Sequence, residues 1–152
     1  MRIALYQPDM PQNTAATIRL AACLELPLDV IEPCGFVWDD KRLRRVAMDY
    51  LDGANLRRHS GWATFRAAEG IAGARLVVLS TQAPARHVDV RYRPTDILLL
   101  GRESAGLPAA IHAEADVSVR IPLAPGARSF NVAMAAAMVA GEALRQTDGW
   151  PG

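Results

Sequence analysis

The sequence predicts an α/β domain built on a mostly parallel sheet with helices on both faces. Apolar runs of strand length alternate with segments of helical periodicity along the whole chain. Several of those runs are apolar at successive positions (Val77, Val78 and Leu79; the ILLL of 97–100), as strands buried on both faces require. With 152 residues the chain is long enough for one real core and short for two, so 1–152 is expected to form a single domain. It shows no internal repeat and no low-complexity linker.

Each element has its local reason. IALYQ (3–7) reads as a short strand halted by Pro8 and Pro11. A helix follows from Asn13, a possible N-cap, with Ile18, Ala21, Ala22 and Leu26 on one face. LDVIE (28–32) is a second strand, closed by Pro33. DDKRLRRVAMDYL (39–51) opens on two aspartates and reads as one helix. Leu43, Val46, Ala47 and Tyr50 fall at i, i+3, i+4 and i+7 and are expected to face the core, which turns Lys41, Arg44 and Arg45 to solvent. ANLRRH (54–59) predicts a strand and WATFRAAEG (62–70) a short helix ended by Gly70. ARLVVLST (74–81), TDILLLG (95–101) and VSVRIPL (117–123) are further strands, the last two separated by a helix near 108–114. A final helix is expected from about Ser129 to Gln146, and DGWPG reads as a loose tail.

Composition narrows the function classes. A net charge of +1 argues against an overall basic coat but is silent on a local patch. Cys23 and Cys34 have no CxxC spacing and are expected to be buried free thiols of a reducing compartment. His59, His87 and His112 lack ligand spacing, so no metal site is expected. The first apolar run soon meets Gln7, Pro8 and Asp9, unlike a secretory signal. VAMAAAMVAG (132–141) falls short of the roughly 18 residues of a membrane span. A cytoplasmic protein with no membrane partner is expected.

In open parallel sheets, ligands bind outside the carboxyl ends of the strands. Three loops at such ends carry unusual residues: STQAP after Leu79, GRESAGLP after Leu100, and PLAPGARSFN (122–131) before the final helix. Glycine and proline bend each loop sharply and leave main-chain groups accessible. Ser129 and Asn131 stand where the last helix should begin, with capping the better reading of Ser129 alone. The chain has no GxGxxG after its first strand, no GxxxxGK[ST] and no GxSxG, and none of the three loops holds a histidine to activate Ser104 or Ser129. Nucleotide-loop and hydrolase readings therefore have little support. From Phe130 to Leu144 the only charge is Glu142. A helix apolar on every side must be covered on every side, and a homodimer with this helix in the interface is one way to cover it.

The order N-x-x-x-x-x-R from Asn13 to Arg19, then GRESAGLP, then RIPL and S-x-N before the last helix, resembles the SPOUT superfamily of RNA methyltransferases. GFVWDDKRLRRVAMDYL (35–51) is similar to the small members that methylate the ribose 2′-hydroxyl at the tRNA wobble position. The resemblance runs from about residue 2 to residue 147. It implies a C-terminal deep trefoil knot, S-adenosyl-L-methionine as cofactor, and the tRNA anticodon stem-loop as substrate. It places cofactor contacts on Leu79, Gly101, Ile121 and Ser129, with Asn13, Glu103 and Asn131 in support; Glu103 is expected to order its own loop through main-chain N–H groups. It places the catalytic role on Arg19. Arginine stays protonated, so Arg19 is read as activating the 2′-hydroxyl by charge rather than as a base. The basic cluster Lys41, Arg42, Arg44 and Arg45, followed by Arg57, Arg58 and His59, would meet phosphates, and Trp38 and Trp62 are candidates to stack on bases.

Three positions depart from the family's pattern: Ala15 replaces a glycine, Ala133 a small polar residue, and Gly141 a tyrosine that close relatives carry. They keep open a catalytically silent RNA-binding protein of the same fold. Strand–helix alternation alone also permits a flavodoxin-like or response-regulator-like binding domain, although only Asp9 lies near the end of the first strand as an acid.

Overall fold

The computed structural model describes residues 1–152. The chain runs β1 (Arg2–Tyr6), α1 (Pro11–Cys23), β2 (Leu28–Ile31), α2 (Asp40–Ala47), α3 (Tyr50–Gly53), β3 (Leu56–His59), α4 (Trp62–Ala67), β4 (Leu76–Leu79), β5 (Ala85–Arg86), β6 (Ile97–Leu100), α5 (Ala109–Ala113), β7 (Val117–Arg120) and α6 (Val132–Thr147). The seven strands form one sheet in the order β3-β2-β1-β6-β4-β7-β5, and every pairing is parallel.

Successive strand residues feed opposite cores, which explains the unbroken apolar runs. Ile3, Leu5, Val77, Leu98 and Leu100 pack with Ile18, Leu43, Val139 and Ala140 of α1, α2 and α6. Ala4, Leu76, Val78, Ile97 and Leu99 pack on the other face with Phe65, Ile71 and Ile111, beside α4 and α5. The register sets the ends level: Leu100 pairs with both Leu5 and Leu79, and Leu79 pairs with Val119. The loops after β1, β6, β4 and β7 therefore leave the sheet side by side.

Several expectations are corrected. Asn13 is not a cap: Pro11 opens α1 behind Met10, because proline's fixed φ suits the first helical turn, and Asn13 is buried within the helix. Leu26, buried, lies beyond α1. The stretch 39–51 is two helices, since Met48 (φ 53°) and Asp49 (φ 65°) turn the chain through left-handed geometry. Leu43 and Ala47 are buried; Val46, at the edge of that stripe within α2, is exposed, and Tyr50 is exposed because the turn starts a new helix before it. Cys23 is exposed at the end of α1. Cys34 is half-buried, and burial pushes its thiol up to about 11. The last helix starts at Val132, with the Asn131 side chain accepting from the N–H groups of Ala133 (2.9 Å) and Met134 (3.4 Å), so Asn131 rather than Ser129 is the cap. Within one chain α6 is covered on one side: Ala136, Val139, Ala140, Ala143 and Leu144 are buried, whereas Met134 and Met138 are exposed. The tail is folded back as far as Trp150, with the Gly149 N–H on the Leu144 carbonyl (3.0 Å) and the Trp150 ring over Gly141. The two-residue β5 has no clear sequence signal. No helix is long and apolar enough to cross a membrane.

Candidate active site

The level strand ends enclose a cavity of about 620 Å³. Leu79, Leu100, Leu107 and Ile121 form apolar wall; Asn13, Glu103, Ser129 and Asn131 bring polar groups to it. All four positions expected to hold a cofactor, Leu79, Gly101, Ile121 and Ser129, line this one space, as do the three supporting residues. Ser80, Thr81 and Gln82 join from the loop after β4, which its turn chemistry had already singled out. Arg102, Phe130 and His112 also line the cavity. His112 gave no signal because α5 reads as an ordinary short helix.

The loop after β6 folds back on itself. Arg102 and Gly106 exchange main-chain hydrogen bonds, Arg102 N–H to Gly106 O at 3.1 Å and Gly106 N–H to Arg102 O at 2.8 Å. A Cβ on Gly101 would stand 2.5 Å from the Gly106 carbonyl carbon and 2.7 Å from Leu107 N. The glycine is thus required by the return of its own loop.

Polar side chains join the loops to one another. Glu103 accepts from the Asp9 N–H (2.9 Å) and from Asn13 Nδ2 (3.2 Å), and Asn131 Nδ2 donates to Asn13 Oδ1 (2.6 Å). Ser104 donates to Asp9. Glu103 thus ties the β1–α1 loop to its own: its side chain reaches the neighbouring strand end, while its own main-chain N–H also bears on the carboxyl. Burial, followed by the Asp9 carboxyl beside it, raises the Glu103 carboxyl above its ordinary range. Asp9 is held below its own, first by its hydrogen bond with Glu103.

The remaining predicted residues lie outside the cavity. Arg19 is exposed on α1, six residues beyond Asn13 and so roughly 9 Å along the helix. Its guanidinium lies over the Tyr50 ring at 5.5 Å and 3.1 Å from Met48 Sδ, with no carboxylate partner. Of the basic cluster on α2, Arg44 pairs with Asp52 (2.7 Å) and Arg42 approaches Asp39 (3.7 Å), while Lys41 and Arg45 are exposed without an acidic partner. Trp38 is not a free stacking platform: Phe36 stacks on it (centroids 6.2 Å, 22°), Arg58 lies 4.4 Å over its ring, and its Nε1–H donates to Asp40. Trp62 packs against Tyr6 and Phe65. No group of three or more His, Cys, Asp or Glu is placed to hold a metal ion. The arrangement suits a ligand with apolar and hydrogen-bonding parts, gripped by bent loops at a volume in the usual range for such sites.

Known proteins match this chain across nearly its whole length. The model of the SpoU rRNA methylase family matches residues 1–141. A tRNA (cytidine(34)-2'-O)-methyltransferase from Beijerinckia indica is 56% identical over 144 residues, covering 95% of this chain and 90% of its own. The Escherichia coli protein of the same name is 42% identical, covering 100% and 96%. A solved structure concerned with 2-OH methylation of C/U34 on tRNA superposes with a TM-score of 0.88 at 38% identity, over 95% of this chain and 94% of that one. The SpoU methyltransferase AviRb from Streptomyces viridochromogenes, in complex with the cofactor AdoMet, gives a TM-score of 0.82 at 29% identity, over 96% of this chain and 57% of that one.

Proposed function

The chain belongs to the SpoU rRNA methylase family, and from that premise we propose that it methylates the ribose 2′-hydroxyl of the wobble nucleotide, position 34, in the tRNA anticodon, using S-adenosylmethionine. The observation that carries this reading is the convergence of Leu79, Gly101, Ile121 and Ser129 on one cavity at the level strand ends. The residues fit the donor: apolar walls suit its adenine and methyl group, and bent loops with accessible main-chain groups suit its ribose and amino-acid parts. When bound, the donor supplies an electrophilic methyl group on a sulfonium.

The protein's share is positioning and charge. The three tied loops hold the ligand in one geometry, with Glu103, Asn13 and Asn131 fixing the loops. Arg19, exposed and free of any carboxylate, has its full positive charge available to hold a phosphate and to stabilise the developing 2′-alkoxide. Lys41 and Arg45, with Arg42 and Arg44 beside them, take backbone phosphates of the stem-loop, which makes affinity fall with salt. The trefoil threading belongs to the same reading: β4 lies between β6 and β7, and the connections after all three wall the cavity. So does a homodimer, with the exposed Met134 and Met138 of α6 as its apolar seam and the Arg19-bearing α1 packed beside that helix. One domain, acting on tRNA in the cytoplasm, completes it.

Transfer of a labelled methyl group to tRNA, with the product nucleoside identified as 2′-O-methylated at position 34, tests the activity. Donor binding without transfer to any tRNA would instead favour the silent RNA-binding protein. Mass determination in solution at micromolar concentration tests the dimer, and a clean monomer refutes it.

A further inference from the structure

The segment between β2 and α2 carries an apolar side chain that the fold does not use. Val37 is 89% exposed, the most exposed of the large apolar residues. The segment around it is nevertheless rigid. The Gly35 N–H donates to the Pro8 carbonyl (2.9 Å), and a Cβ on Gly35 would collide with Asp9 Cβ, so the segment is seated directly on the β1–α1 loop. Phe36 and Trp38 stack on each other, and Arg58 and Asp40 hold the indole. The result is a stiff hook with Val37 at its tip. Through Asp9, which Glu103 and Ser104 also bind, the hook is fixed relative to the donor cavity. Met10, next in the same loop and 44% exposed, lines that cavity. Val37 stands two residues from the Gly35 contact, about 7 Å of extended chain.

We propose that this hook is the base-contacting element of the enzyme: Val37 wedges against the bases flanking the methylated nucleotide while Lys41, Arg42 and Arg45 hold the adjoining phosphates. The proposal rests on the tRNA reading above and adds a contact to it. The acceptor hydroxyl must lie in line with the donor methyl at near-contact distance, so the loop around the target ribose has to be held in one conformation. An apolar side chain packed against the flanking base faces supplies that hold, since the bases of single-stranded loops are open to such contacts. An exposed valine just ahead of a helix that carries Lys41 and Arg45 without acidic partners fits a polyanion with apolar base faces better than it fits an apolar protein surface.

The test uses the full-length protein, an anticodon stem-loop, and the same stem-loop with abasic sites flanking nucleotide 34. Val37→Asp, with Val37→Ser as a milder second variant, is measured by fluorescence anisotropy for RNA affinity, by KM and kcat for transfer, and by calorimetry for S-adenosylmethionine affinity. Val37→Asp is expected to bind the intact stem-loop roughly tenfold more weakly and to raise KM similarly, with donor affinity unchanged and with little further loss on the abasic RNA. Wild-type RNA affinity in both variants overturns the proposal. So does an equal loss on intact and abasic RNA, a parallel loss of donor affinity, or a change of oligomeric state. Methyl transfer that ignores Val37 sinks the hook alone; Val37-dependent RNA binding without any transfer sinks the catalytic reading and leaves the hook standing.

Discussion

Replacing Gly101 with alanine isolates the part of the cavity that sterics alone decide. The added Cβ would lie 2.5 Å from Gly106 C, 2.7 Å from Leu107 N and 2.9 Å from Gly106 Cα, against 3.4 Å and beyond for ordinary contact. All three atoms are main chain, so the loop itself must retreat by about 1 Å. Retreat breaks the Arg102–Gly106 pair, at about 1 kcal/mol per hydrogen bond; staying put overpacks the turn at about 1–3 kcal/mol. Either way the loop loses about 2 kcal/mol, which corresponds to roughly 30-fold in donor affinity if the bound form must restore the present contour. Isothermal titration with S-adenosylmethionine, beside a thermal melt, measures both. Gly106→Ala is the control: nothing lies within 4 Å of its Cβ, but its φ of +66° makes the side chain strained. It should lower stability by about 1–2 kcal/mol and leave donor affinity within a few-fold. An unchanged dissociation constant for Gly101→Ala, or a greater loss of affinity for Gly106→Ala, refutes the steric account.

Arg19→Ala should keep donor affinity while lowering kcat by at least about a hundredfold; equal loss of both would remove its assigned role. Asp96 is buried, takes Arg75 in two hydrogen bonds (2.8 and 2.6 Å) and accepts from the Arg93 N–H (2.9 Å), so Asp96→Ala should cost about 3 kcal/mol in chemical denaturation. A loss below about 1 kcal/mol would show the cluster to be dispensable. Glu142 is held down at about 2 by hydrogen bonds from Arg145 and then Gln146. A lowered carboxyl contributes stability above its ordinary value of 4.5 that disappears as pH falls through about 2. The melting temperature of the wild type should therefore drop more than that of Glu142→Gln between pH 5 and pH 2.5, and parallel curves would contradict it.

The sheet was legible because its strands are buried on both faces. Leu98 and Leu100 serve one core, Ile97 and Leu99 the other, so ILLL has no polar position to mislead. The three cavity loops were legible because turns that expose main chain need glycine and proline. What stayed hidden were effects that tertiary contacts impose on locally ordinary sequence. Nothing in RRVAMDYL announces that Met48 and Asp49 leave the helix, and with that break Tyr50 loses its inward face. Ser129 and Asn131 are both acceptable caps by type, and only the path of the preceding loop selects Asn131. Asn13 carried a motif reading and a capping reading; the first was compatible with burial and the second was not.

The burial of Asn13 explains why the three loops behave as one object. Its amide gives a hydrogen to Glu103 from the loop after β6 and takes one from Asn131 at the start of α6, while its own helix begins at the end of the β1 loop. A buried amide is expensive when unpaired, at about 1–3 kcal/mol, so moving any one loop imposes that cost through the other two. Leucine or alanine at position 13 would fill the helix equally well and would leave the half-buried Glu103 with one partner fewer. The polar chain therefore holds the cavity in one shape. It also places Asp9, on which Gly35 and the Val37 hook are seated, at a fixed distance from that cavity. Preorganisation of this kind is what a transfer between two bound partners demands, since a displacement of about 1 Å at the reacting atoms costs on the order of a hundredfold in rate.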